Sequence, residues 1–161
     1  MLGILPDREI ERVLREQFVG RIGCHADGRT YVVPIAYAYA DGCIYGHTVD
    51  GLKLRMMRKN PHVCFEVDCV DDPMTWQSVI AWGTFEQLHG DAASHAMQTL
   101  LVKFLPGKTH LTDRGLQNDR PGVGDGEAIV YRIRLTERTG RFERSALQAE
   151  KDDYVPFSPP T

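Results

Sequence analysis

Apolar and polar residues alternate along much of this chain, a pattern that predicts strands with one buried face. Val63, Phe65 and Val67, for example, alternate with polar or small residues. The pattern predicts a mainly β protein with six strands, at residues 18–26, 30–40, 43–48, 62–70, 75–88 and 127–136. Apolar residues spaced by three and four predict flanking amphipathic helices instead, at residues 6–17 and 91–105.

Turn residues separate the first three strands. Asp27-Gly28-Arg29 is a strong hairpin signal, and Asp41-Gly42 turns the chain into the strand that begins at Cys43. These strands are therefore expected to form a meander. Pro34 interrupts the second strand, and because proline cannot donate to a ladder it marks an edge, a bulge or a place where backbone faces a ligand.

The strand predicted at residues 75–88 is apolar on both faces. Trp76, Ile80 and Trp82 alternate with Val79 and Ala81. A strand covered on both sides suits a barrel wall that also meets another subunit. The pattern is therefore compatible with a homodimer.

A short helix is predicted between Asp50-Gly51 and Asn60-Pro61, and its first turn contains Lys53. A cation is unfavourable there because the helix dipole is positive at its start, where backbone N–H groups are also free. A phosphate would remove this conflict by meeting those groups, the Thr48 hydroxyl and the Lys53 ammonium together. The alternative is a solvated lysine on an exposed face.

Composition excludes several classes of protein. The chain has 161 residues, 42% of them hydrophobic and 25% charged, as in a single soluble domain. A formal charge of −3 disfavours nucleic-acid binding. The four cysteines form no CxxC pair, so we expect buried thiols and no metal. Without a leader-like start or a long apolar run, we expect a cytoplasmic location and no membrane partner.

Two stretches contain few apolar residues. Residues 106–126 include seven glycines or prolines, which predicts a long loop, expected to cover the substrate side of the site. The chain is polar from Glu137 onward and ends in VPFSPPT. We therefore expect one domain over residues 1–141 and a mobile tail over 142–161.

The stretches VVPIAYAY, IYGHTVDGLKLRMMRKNPHVCFEVD, WQSVIAWGTFEQL and IRLTERTGR carry a family resemblance. Together they resemble the pyridoxamine 5′-phosphate oxidase-like FMN-binding split barrels. Within that family they most resemble the nitroimidazole-resistance branch. The resemblance covers most of residues 19–141, and its middle block is the specific part. It implies a six-stranded antiparallel split β-barrel that forms a homodimer with FMN at the subunit interface.

The same resemblance implies roles for individual positions. The strand-end residues and helix-start lysine that hold the flavin phosphate fall on Gly46, His47 and Lys53. The segment along the isoalloxazine ring falls near Val33, Pro34 and Ile35, and a position contributed by the partner subunit falls on Ser78. The basic strand of the true oxidase is missing, as is an arginine pair for pyridoxal phosphate, which argues against vitamin B6 oxidation.

The function expected from these features is an FMN-dependent oxidoreductase that reduces nitro or quinone-like small molecules. Trp82 is counted among the cofactor-binding residues, although wall packing explains it equally well. His47 is expected to contact the ligand, and the alternative is a hydrogen-bonding core histidine. Other possibilities are a barrel that binds deazaflavin F420 or haem, and a flavin-binding protein without turnover.

Overall fold

The computed structural model describes residues 1–105 and 128–145. Its three helices are α1 (Asp7–Glu16), α2 (Leu52–Lys59) and α3 (Gly90–Phe104). The described residues also form eight strands: β1 (Leu2–Ile4), β2 (Val19–Ala26), β3 (Arg29–Ala36), β4 (Ala38–Ala40), β5 (Cys43–Thr48), β6 (His62–Asp72), β7 (Thr75–Gln87) and β8 (Ile129–Glu143). The predicted loop at residues 106–126 and the tail beyond residue 145 lie outside the described residues.

All strands pair antiparallel in one sheet, in the order β3-β2-β6-β7-β8-β5-β4, with β1 added on β8. The two ends of this path, β3 and β4, are consecutive in the chain and are joined at Tyr37. The sheet therefore curls round without closing its ladder, as in a split barrel. This confirms the predicted fold class.

The strand count rises from six to eight because the predicted strand at residues 30–40 is divided at Tyr37 and because β1 was not predicted. The Tyr37 N–H donates to the Phe18 carbonyl at 3.1 Å. Before Tyr37 the chain pairs with β2, as β3, and after Tyr37 it pairs with β5, as β4. The Tyr37 side chain is fully buried and donates to the Leu14 carbonyl at 2.9 Å. Pro34 lies on the edge strand β3, the first of its three predicted environments.

The last strand continues past the predicted end at Thr136 to Glu143. Residues 137–143 look polar in the sequence, but here β8 pairs with β7 on one side and its end pairs with β1 on the other. Backbone pairing, which the side-chain pattern does not report, therefore extends the strand. The β7–β8 register shifts between Trp82 and Gly83, which indicates a β-bulge or a similar irregularity there.

The core lies inside the curled sheet. Inward residues of the strands, including Ile22, Phe65, Val79 and Ile133, pack with Leu14 of α1. Leu54 and Met57 bury the inner face of α2 in the same core. A second cluster joins α3 to the outside of β4, β5 and β8 through Ala38, Tyr45, Ala96, Leu100 and Val130. None of the helices described is both long enough and apolar enough to cross a membrane.

Candidate functional site

The start of α2 is shaped by the turn that follows β5. Gly51 precedes the helix in an extended conformation, and no side chain caps the helix start. The first turn of α2 contains no acidic residue. Thr48 ends β5 nearby, and its hydroxyl donates to the Val49 carbonyl at 3.1 Å. This helix start therefore presents backbone N–H groups without a competing carboxylate of its own.

Lys53 is half-buried beside this helix start. Its Nζ lies 5.7 Å from the centroid of the Tyr131 ring. Burial lowers the pKa of Lys53, and an electrostatic interaction with nearby Cys24 opposes that shift. Burial raises the pKa of the Cys24 thiol, which favours its neutral form. Among the residues described, Lys53 forms no ion pair with a carboxylate. Lys53 is thus a partly desolvated cation without an anionic partner, and it does not lie on a solvated face.

Gly46 and Tyr131 complete this end of the barrel. They pair in register on β5 and β8, and a Cβ added at Gly46 would lie 2.5 Å from the Tyr131 hydroxyl oxygen. The Tyr131 hydroxyl is buried and has no hydrogen-bond partner within the described part of the chain. Burial raises the pKa of Tyr131 above its ordinary value. His47, the next residue of β5, is exposed on the opposite face.

A second feature is a groove of about 540 Å³ on the outer face of the sheet, here called the outer groove. One row of paired residues crosses its floor in the order Val32, Gly23, Cys64 and Trp82. Val32 is 62% exposed and Trp82 is 41% exposed. Val32 and Trp82 therefore form two apolar walls. Because Gly23 between them has no side chain, the floor there is open and apolar.

A charged row lies beside that floor. Pro34, Arg21, Glu66 and Ile80 are paired across the same four strands. Arg21 Nη1 donates to Glu66 Oε2 at 3.0 Å and to Asp68 Oδ1 at 2.6 Å. Hydrogen bonds to Asp68 and Glu66 raise the pKa of Arg21. The Arg21 guanidinium is therefore engaged by two carboxylates.

The structure divides the predicted site residues into two groups. Gly46, His47, Thr48 and Lys53 lie together at or just before the start of α2. Trp82 lines the outer groove, Pro34 is exposed in the charged row, and Ser78 donates to Glu66 Oε1 at 3.2 Å. Val33 is only partly exposed, and Ile35 is buried in the core. Cys24 lines the groove and interacts electrostatically with Lys53, so it connects the two groups.

Sequence reasoning missed four residues that shape these features: Gly23, Arg21, Glu66 and Tyr131. A glycine inside an alternating strand is a signal of close approach or a gap, and Gly23 could have been found in this way. The pairing of Arg21 with Glu66 depends on the β2–β6 register, for which the sequence has no marker. The unpartnered hydroxyl of Tyr131 is visible only in three dimensions.

A model of the pyridoxamine 5′-phosphate oxidase family matches residues 6–142. The chain belongs to this family. A crystal structure of a FAD-binding protein from Mesorhizobium loti is 30% identical, covers 89% of this chain and 99% of its own, and has a TM-score of 0.69. An uncharacterized protein of Rhizobium meliloti is 25% identical over 140 residues, which are 86% of this chain and 93% of that protein.

The fold is also shared with a putative 5-nitroimidazole antibiotic resistance protein from Bacteroides thetaiotaomicron. That structure is 18% identical and has a TM-score of 0.69. The alignment covers 88% of this chain and 87% of that one. The family expected from the sequence motifs is therefore confirmed by a family model, a close structural relative and a fold neighbour.

Proposed function

We propose that this chain is a flavin-dependent oxidoreductase that binds FMN, with the phosphate at the start of α2. The observation that carries the proposal is Lys53, a partly buried cation with no carboxylate partner among the described residues. Because burying an unpaired charge is costly, such a cation is stabilised by an anionic ligand. The helix start beside Lys53 offers backbone N–H groups to the same anion.

These residues fit the phosphate of a flavin mononucleotide. Lys53 supplies the charge, the first turn of α2 supplies backbone donors, and Thr48 supplies a polar side chain at the end of β5. His47 is exposed on the other face of that strand and is not part of this set. Gly46 leaves room for Tyr131, whose ring lies under the lysine. A bound flavin supplies hydride and electron transfer, so the protein has to bind, orient and exclude water. In this proposal the outer groove, walled by Trp82, takes a nitro or quinone-like substrate.

The proposal includes a homodimer with the flavin at the subunit interface. Its support is the outer face of the sheet, where Val19, Val32, Val70, Ile80 and Trp82 are all exposed. Contiguous exposed apolar surface of this kind marks protein interfaces and binding grooves. A second copy seated on this face would supply a further wall to the outer groove.

FAD is a second candidate for the cofactor. The Mesorhizobium loti relative, at 30% identity, is described as FAD-binding. Both cofactors carry a phosphate next to the ribityl chain, so the Lys53 site fits either of them. They differ in the adenylate portion, which FMN lacks. We favour FMN because the Lys53 site accounts for one phosphate group, which is all that FMN carries.

The test is the visible spectrum of the purified protein, followed by chromatography of the cofactor released on denaturation. A flavin spectrum with released FMN supports the proposal, and released FAD supports the second candidate. A Soret band would mean haem, and a protein that binds only F420 would also contradict FMN binding. With flavin bound, reduction of a nitroaromatic or a quinone tests for turnover. All four cysteines are free thiols, which fits the cytoplasmic location included in this proposal.

A further inference from the structure

The charge of the outer groove differs from that of a site built for a phosphorylated or sulfonated molecule. Of the described residues lining the groove, Arg21 and Glu66 are formally charged, and His25 and His62 are titratable. Arg21 is engaged by both Glu66 and Asp68. Two carboxylates against one guanidinium leave the cluster with one net negative charge.

The charge of Arg21 is already balanced by two carboxylates. A single nitrogen, Nη1, donates to both carboxylates, and hydrogen bonds to Asp68 and Glu66 stabilise the charged guanidinium. Glu66 is fixed from the other side, because its Oε1 accepts from the Ser78 hydroxyl. An anion that approached the remaining N–H groups of Arg21 would still lie beside two carboxylates, whose charge repels it.

The floor beside this cluster suits a flat apolar molecule. Val32 and Trp82 are exposed on either side of Gly23 and Cys64, and most of the groove surface is apolar. An aromatic ring can stack on the exposed indole. A cation would also be tolerated, since the cluster is net negative.

We infer that the Arg21–Glu66–Asp68 cluster makes the outer groove select neutral or cationic planar substrates and reject anionic ones. This inference rests on the proposed function in taking the groove as the substrate side of the flavin site. It names the substrate class: uncharged aromatic oxidants are accepted, and aromatic phosphates or sulfonates of the same ring size are rejected.

The test compares two ligands of one ring system, menadione and naphthoquinone sulfonate, with the protein as purified and no reductant present. Binding is read from quenching of tryptophan fluorescence at low salt, where charge effects are least screened. The chain has two tryptophans, so Trp82→Phe leaves only Trp76 and shows whether the signal arises in the groove. The variant Glu66→Gln with Asp68→Asn frees Arg21, and Asp68→Asn alone is the milder version.

The matched control is a similar cluster on α1, where Arg12 pairs with both Glu9 and Glu16 and none of the three lines the groove. Glu9→Gln with Glu16→Gln removes the same total charge. We expect the wild type to bind menadione at least about tenfold more tightly than the sulfonate. Freeing Arg21 should tighten sulfonate binding by about tenfold and change menadione binding little, and the α1 control should leave the preference intact.

Equal affinity of the wild type for both quinones, equal effects of the two double variants, or no binding of either quinone would overturn the inference. Flavin content is measured separately from the visible spectrum. Flavin binding without charge selection overturns this inference alone. Charge selection in a protein that binds no flavin overturns the proposed function, and with it the role of the groove as a substrate site, although the charge selectivity of the groove itself is then supported.

Discussion

Gly46 on β5 and Tyr131 on β8 lie directly opposite each other, and the tyrosine ring fills the space that a side chain at position 46 would need. A Cβ at Gly46 would lie 2.6 Å from Cζ of that ring as well as 2.5 Å from its hydroxyl oxygen. The Tyr131 ring also packs against Phe85, with 5.6 Å between the ring centroids, and Lys53 Nζ lies over its face. Packing at this pair therefore connects the barrel core to the proposed phosphate site.

Gly46→Ala should lower the free energy of unfolding by about 1–3 kcal/mol, because an added methyl group overpacks a filled core. Urea denaturation measures the change. Gly23→Ala is the control, since its Cβ would meet nothing closer than Cys64 Cβ at 3.6 Å. That substitution should be neutral or slightly stabilising. Equal losses for the two variants would contradict the packing described for Gly46.

Glu11 should give the fold part of its resistance to acid. Its Oε1 accepts from Arg138 Nη1 and, at 2.8 Å, from the Tyr39 hydroxyl, which ties α1 to β4 and β8. Burial alone would raise the pKa of Glu11, but the hydrogen bonds from Arg138 and Tyr39 outweigh it and the pKa is lowered. A carboxyl with a lowered folded pKa stabilises the fold above its unfolded pKa, and this contribution is lost as pH falls through the folded pKa.

Glu11→Gln should therefore destabilise the protein at neutral pH by about 1–2 kcal/mol and flatten the decline in stability toward about pH 3. Urea midpoints measured across that pH range give both quantities. Glu16→Gln, on the exposed side of the same helix, is the control and should keep most of the decline. If both variants lose stability in parallel at every pH, Glu11 has no special role.

Trp82→Glu should separate the proposed dimer, because it places a charge on the exposed apolar face of β7. A loss of at least about 2 kcal/mol, or roughly 30-fold in dimer affinity, is expected for a central aromatic residue. Light scattering gives the mass, and flavin content should fall with the dimer. Val102→Glu, at an exposed position on α3, is the matched control and should leave the dimer intact. A wild type that is monomeric with flavin bound would refute the interface.

Much of the fold could be predicted from the sequence, because alternation and turn residues report directly on strands that bury one face. Val63, Phe65 and Val67 all lie in the core as the alternation predicted. The break at Tyr37 could not be predicted, since it depends on which strand each half of the run pairs with. The extension of β8 to Glu143 was missed for the same reason: backbone pairing with β1 and β7 leaves no trace in side-chain polarity.

The candidate site was predictable only in part. The position of Lys53 at a helix start follows from local sequence, because Asp50-Gly51 and Asn60-Pro61 bound the helix. Its partial burial could not be predicted, because the neighbours Tyr131 and Cys24 lie far from Lys53 in the chain. The Arg21–Glu66 pair likewise requires the β2–β6 register. Local patterns therefore predicted the helix start that contains Lys53, whereas the outer groove depends on long-range strand pairing.

The most direct test of the central claim is titration of Lys53→Ala with FMN and with riboflavin, which lacks the phosphate. Loss of one charge-assisted hydrogen bond should weaken FMN binding by about 10- to 150-fold and riboflavin binding much less. Arg58→Ala is the control, because Arg58 lies in the last turn of α2 and bonds to Gln87. Equal losses for FMN and riboflavin, or for the Lys53 and Arg58 variants, would contradict a phosphate site at Lys53.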